Sequence, residues 1–119
     1  MNKADFIELC LTYTDAVVDR PFDLDTDTTV ARHADNRKWF ALIFLLNGRQ
    51  CVNLKLDPMK AEFFRSAYFG ITAGWHMNHI HWSTICLESD VPDSVIEELL
   101  SDSHALTANR KRINNDTSD

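Results

Sequence analysis

The sequence predicts an α+β domain of two layers in the order α-β3-α-β2-α, with three helices packed on a mostly antiparallel, five-stranded sheet. Three observations carry this. Trp39 to Leu46 is an apolar run without alternation, as expected of a central strand covered on both faces. Asn47-Gly48 follows at once, the pair best suited to the positive backbone angles of a two-residue type I′ hairpin. Asp57-Pro58, and later Asp90 with Pro92, open apolar stripes at helical spacing.

Taken in order, Asn2 caps a first helix with Asp5 three residues later, and Phe6, Leu9, Cys10 and Tyr13 fall on one face. Residues 20–29 contain Pro21 and three alternating aspartates without periodicity, which predicts a loop. Val30 to His33 is the first strand, Asp35, Asn36 and Arg37 form a turn, and the apolar run is the second strand. In the third strand Val52, Leu54 and Leu56 alternate with Cys51, Asn53 and Lys55. The second helix runs to about Tyr68, with Phe63, Phe64, Ala67 and Tyr68 inward and Lys60, Glu62 and Arg65 toward water. Ile71 to Met77 and His81 to Leu87 are two short strands that pair through a bend at Asn78. The last helix turns Val95, Ile96, Leu99 and Leu100 inward. Residues 1–108 form one domain and residues 109–119, which lack an apolar face, a mobile tail.

With 119 residues, 45% of them hydrophobic and 25% charged, the chain fits one globular domain and not a disordered or fibrous class. Eighteen acidic against twelve basic residues give a formal charge of −6, so a generally cationic, phosphate-neutralising surface is excluded. Cys10, Cys51 and Cys86 are far apart and in no CxxC spacing; they read as small buried apolar residues in a reducing compartment. No apolar run reaches the length of a membrane span, and the cytoplasm is the expected location. No GxGxxG, P-loop or GxSxG is present, which excludes nucleotide enzymes of those types and predicts no catalytic residue and no cofactor. Asp23, Asp25 and Asp27 begin like a calcium loop, but Thr28 stands at its glycine position and Ala34 where a bidentate glutamate belongs.

The segment Ile71-Thr72-Ala73-Gly74-Trp75-His76-Met77-Asn78, followed by His81-Trp82, resembles the MmcQ/YjbR family pattern of an apolar residue, Pro-Gly, an aromatic, His-Met-Asn, two often basic residues and His-Trp. Pro21-Phe22, Trp39-Phe40-Ala41, Val52-Asn53-Leu54-Lys55 before Asp57-Pro58, and Asp102-Ser103, placed after the final helix, agree with it. The resemblance covers residues 3 to 107. It implies a fold like that of secretion chaperones and a DNA-binding, double-wing function. Ala73 replaces the proline, His79 and Ile80 the basic pair, Ser83 an asparagine and His104 a tyrosine. Neutral histidine and isoleucine release no counterions as lysine does.

Trp75, His76, Asn78, His81 and Trp82 are therefore the expected motif and binding residues, with Arg37, Arg49 and Lys55 as phosphate contacts. The tryptophans can stack on a base or pack between strands. Of the three motif histidines only His79 and His81 have the spacing to share a strand face, making them the minor alternative as metal ligands. With no carboxylate or cysteine beside them, the preferred reading has His76 and His81 hydrogen-bonded to backbone, fixing the turn, and no metal. Arg110-Lys111-Arg112 is a basic cluster in the tail. The rival to DNA binding is a protein-interaction module, whether chaperone-like, adaptor or homodimer. It follows from a central strand that offers apolar side chains to both faces of a sheet needing a cover.

Overall fold

The structure, a computed structural model, describes residues 1–25 and 27–109. Its elements are α1 (Lys3–Leu11), β1 (Ala16–Asp19), β2 (Thr29–His33), β3 (Trp39–Leu46), β4 (Arg49–Lys55), α2 (Pro58–Ala67), β5 (Ile71–Ala73), β6 (Trp82–Cys86) and α3 (Asp93–Thr107). The α+β class stands, but the sheet has six strands, ordered β1-β2-β3-β4-β6-β5 with every pairing antiparallel. The chain order is therefore α-β4-α-β2-α, and the five-stranded expectation is corrected. The added strand is Ala-Val-Val-Asp, too short to show a period of its own and fixed by its pairing with β2. The basic tail cluster and all but Asn109 of the expected mobile tail lie outside the described residues.

Local chemistry sets most boundaries. Asn2 Oδ1 accepts from Asp5 N at 2.8 Å while Asp5 Oδ2 accepts from Asn2 N at 3.1 Å, a reciprocal cap on α1. Asp57 caps α2 at Met59 N and Lys60 N. Asn47 and Gly48 take φ of 52° and 78°, as a type I′ turn between Leu46 and Arg49 needs. Asp90 does not cap α3, whose N-cap is Pro92. Its carboxylate instead accepts from Phe69 N and Gly70 N, both at 2.7 Å, satisfying donors at the end of α2. Phe63 is 65% exposed, and the inward side of α2 is Ala61, Phe64 and Tyr68.

All three helices contribute to one core: Phe6 and Cys10 from α1, Ala61 from α2, and Ile96, Leu99 and Leu100 from α3, against Ala31, Ala41, Ile43, Val52, Leu54, Ile71 and Ile85 of the sheet. A register shift makes Ala31 face Ala41 but Arg32 face Trp39. Phe40 is the extra residue of this bulge, so Phe40 and Ala41 both reach the helix-side core. Asp102 and Ser103 lie inside α3 rather than beyond it. Ser103 Oγ donates to Phe40 O at 2.6 Å and accepts from Lys55 N at 2.8 Å. It bridges β3 and β4 where their own ladder stops at Leu42 and Asn53. The other face, with Val30, Phe44, Cys51, Asn53 and Thr84 buried, is covered among the described residues by the chain's own loops, residues 20–25, 27–28 and 74–76, instead of a helix. Among the described residues no helix is long and apolar enough to cross a membrane.

Candidate functional site

The motif joins two paired strands through a bend, as the sequence predicts, but the strands are shorter than expected: β5 ends at Ala73 and β6 begins at Trp82, so Trp75, His76, Met77 and His81 lie in the loop. Thr72 faces Thr84 and Ala73 faces Ser83. Gly74 N then donates to Trp82 O at 2.9 Å, and a Cβ on Gly74 would lie 2.7 Å from that same oxygen, so only glycine allows this approach. Asn53 and Thr84, buried on β4 and β6, hold the next residue from both sides. Trp75 N donates to Thr84 Oγ1 at 2.8 Å, Asn53 Nδ2 donates to Trp75 O at 2.9 Å, and Thr84 Oγ1 donates to Asn53 Oδ1 at 2.5 Å. His76 follows with φ of 57°, a left-handed conformation uncommon away from glycine. Asn78 Oδ1 accepts from Ile80 N at 2.8 Å and from His81 N at 3.4 Å, turning the chain back into β6.

Arg65 of α2, read from the sequence as a solvent-facing cation, is half-buried and clamps this loop. Its Nη2 donates to His79 O and Trp82 O, both at 2.7 Å, and its Nε to Ser83 Oγ at 3.1 Å. Ser83, where the resemblance implies an asparagine, is thus an acceptor for the clamp. The imidazoles of His76, His79 and His81 are exposed. Asn78 and Arg65 fix the turn in place of the histidine side chains expected to do so. Trp82 is half-buried and Trp75 is 47% exposed, its ring 4.5 Å from that of His76.

Trp75 and His76 form one wall of a cleft of about 350 Å³ on the loop side of the sheet, floored by Leu42 and Phe44. Phe22, Leu24, Asp25 and Thr28 close the opposite side, and Leu45 lies at the end. The Asp25 carboxyl is held below its usual range, first by hydrogen bonds from Thr28, so the cleft keeps a negative charge. The three cations do not gather here. Arg37, with φ of 63°, sits in the β2–β3 turn at the Lys55 end of the sheet, whereas Arg49 begins β4 at the other end, about 20 Å of strand away. Lys55 is half-buried opposite Trp82, and Arg49 Nη2 donates to Glu88 O at 3.3 Å.

A second cluster arises that neither spacing nor motif indicated. Asp15 accepts from His33 Nδ1 at 2.6 Å and from His104 Nε2 at 2.7 Å. His33 is fully buried and its Nε2 lies 2.8 Å from Thr107 Oγ1. Tyr13 stacks on His104 at 4.2 Å. Burial alone would raise the Asp15 carboxyl, but the hydrogen bonds from His33 and His104 outweigh it and hold the group below its ordinary value. Among the described residues this is the group with the geometry to hold a metal ion, its three ligand atoms lying within 4.8 Å of one another. At these separations the three side chains form a hydrogen-bonded network, and the set is one donor short of a tetrahedral protein site. Sequence offered one pointer to it, His104 standing where the family resemblance implies a tyrosine. The minor alternative, His79 with His81, gains no third ligand among the described residues.

Comparison with known proteins agrees with the fold. The chain is 34% identical to the uncharacterized protein YjbR of Escherichia coli K12 over 70 residues, 59% of each protein, so the match spans about three fifths of that relative's length. It is 31% identical to the uncharacterized protein YyaQ of Bacillus subtilis over 75% of this chain and 83% of that protein. A crystal structure of a Pseudomonas syringae protein superposes with a TM-score of 0.83 at 32% identity, covering 91% of this chain and all of the other. Deinococcus radiodurans protein DR2400, described by its DUF419 domain, superposes with a TM-score of 0.78 at 30% identity, covering 88% of this chain and 77% of the other. The YjbR family model matches residues 11–106, the span that holds all six strands, the anchored tryptophan loop and its arginine clamp, and the chain belongs to the YjbR family.

Proposed function

We propose that this chain is a non-enzymatic, cytoplasmic protein-interaction domain. Its cleft would take a partner polypeptide segment that carries apolar anchor side chains flanked by basic residues. One observation carries the reading. Of the nine exposed large hydrophobic side chains among the described residues, Phe22, Leu24, Leu45 and Trp75 ring that single cleft. Scattered apolar residues are ordinary on a protein surface, whereas a converged set with a polar rim marks recognition. The charge preference comes from Asp25 in the rim, Asp23 in the same loop and the formal charge of −6, which attract a basic flank and repel an anionic one.

The DNA-binding function implied by the family resemblance draws less support from the same surface. Arg37 and Lys55 share one end of the sheet and Arg49 stands at the other, with an apolar, acid-rimmed cleft on the intervening face. Phosphate neutralisation needs clustered cations. Selection of random peptides displayed on phage against the intact protein tests the proposal. Enriched peptides should combine aromatic or aliphatic anchors with Lys or Arg, and should lose at least about tenfold in affinity against the exposed-site variants Leu45→Asp and Trp75→Ser. Duplex binding that weakens steeply between about 50 and 200 mM salt, lost in Arg37→Ala or Lys55→Ala while no peptide depends on the cleft, would overturn it in favour of DNA.

A further inference from the structure

Cys51 and Cys86, read from the sequence as unrelated buried residues, are register partners on β4 and β6. The flanking bond from Leu87 N to Gln50 O identifies theirs as a non-hydrogen-bonded pair, the kind in which opposed side chains approach most closely. Their Sγ atoms are 3.2 Å apart. Such pairs bring the Cα atoms to about 4.5 Å, inside the range a disulfide accepts and at its short end. About 1 Å of sulfur movement therefore closes the bond without rearranging either strand.

The two thiols differ in access. Cys86 is half-buried and lines a cleft of about 260 Å³ with Gly48, Arg49, Gln50 and Glu88, open to a small oxidant. Cys51 lies beneath it, fully buried. Burial, and then the hydrogen bond with Cys86, push its thiol up to about 12 against the lowering influence of Arg49. Cys10, on the helix side, is likewise pushed up to about 12 by burial and has no partner thiol. An attacking group at Cys86 and a waiting, protonated thiol behind it make an ordered pair.

We propose that Cys51 and Cys86 are a reversible redox couple, closed by a hydroperoxide and reopened by a dithiol. The Cys86 thiolate attacks one oxygen of the hydroperoxide, forming an S–O bond as the O–O bond breaks, and leaves Cys86 as a sulfenic acid with release of hydroxide or alkoxide. Cys51 sulfur then displaces the hydroxyl from Cys86 sulfur, and the Cys51 proton leaves with it as water. The two thiols lose two electrons and two protons in all, and the peroxide is reduced. A cross-strand bond at the short end of its geometric range is easily reduced, so a dithiol restores both thiols by exchange.

Treating the full chain with stoichiometric hydrogen peroxide and digesting it without reductant tests this. A crosslinked Cys51–Cys86 peptide should appear, lighter by two hydrogens, about 2 Da, and vanish on addition of dithiothreitol. Titratable thiols under denaturing conditions should fall from three, the free cysteines, by two, to one. Cys10→Ser should leave the crosslink intact. Cys51→Ser should instead leave a Cys86 sulfenic acid that a dione probe traps, and Cys86→Ser should abolish both products. Recovery of unmodified thiols, of intermolecular dimers, or of Cys86 oxidised alone in the wild type would overturn the proposal.

Discussion

Arg65 concentrates three hydrogen bonds of a charged donor on the carbonyls of His79 and Trp82 and the hydroxyl of Ser83. Bonds of this type are worth about 1.5–3 kcal/mol when truncation strands a buried acceptor. Arg65→Ala should therefore cost about 2–3 kcal/mol in urea denaturation and speed hydrogen exchange at Ile80 and His81. Arg65→Lys should recover only part of this, because one ammonium cannot serve a planar fork. Asp15 makes a pH-dependent contribution of definite sign. Its folded-state carboxyl titrates below the unfolded value near 3.9, so its stabilisation is fully present above that value and is lost as pH falls through the folded pKa. Urea midpoints measured between about pH 3 and pH 7 should decline at the acid end in the wild type. In Asp15→Asn that part of the slope should disappear from a lower plateau, since His33 stays buried without its anionic partner.

At the scale of elements, the β5–loop–β6 unit depends on backbone proximity as much as on side chains. Gly74→Ala would drive a methyl into the carbonyl of Trp82, which cannot move without opening the ladder. A loss of about 1–3 kcal/mol is expected, with tryptophan fluorescence shifted by the release of Trp75. Wherever a local rule decides, these elements were legible in the sequence: the Asn2 and Asp57 caps, the Asn47-Gly48 turn, and the motif as a bend between paired strands. β1 was not, because four residues at a sheet edge carry no period and owe their conformation to β2. The α2 faces misled for a related reason. Phe63 is exposed and Arg65 inward because the loop they border, not their helical spacing, supplies acceptors for a guanidinium. The Asp15, His33 and His104 network spans 89 residues of sequence and is visible only once β1, β2 and α3 converge. The Cys51 and Cys86 contact likewise needs the β4–β6 register, which no spacing rule provides.

At the scale of the whole molecule, the described residues form one sheet with helices on one side and loops on the other, and the sheet and helices are joined by more than apolar contact. Ser103 reaches from α3 between Phe40 O and Lys55 N, so truncating it strands a buried donor and a buried acceptor together. Ser103→Ala should cost about 2–4 kcal/mol, while circular dichroism and tryptophan fluorescence continue to report a single coincident transition. That hydroxyl also dictates an order of assembly. Strands three and four can zip from their hairpin as far as Leu42 and Asn53 unaided, but the final rung is contributed by a residue some fifty positions downstream. A nascent polypeptide halted before Ser103 would thus hold a partly unzipped ribbon. The carboxy-terminal helix acts as the keystone whose arrival locks the remainder.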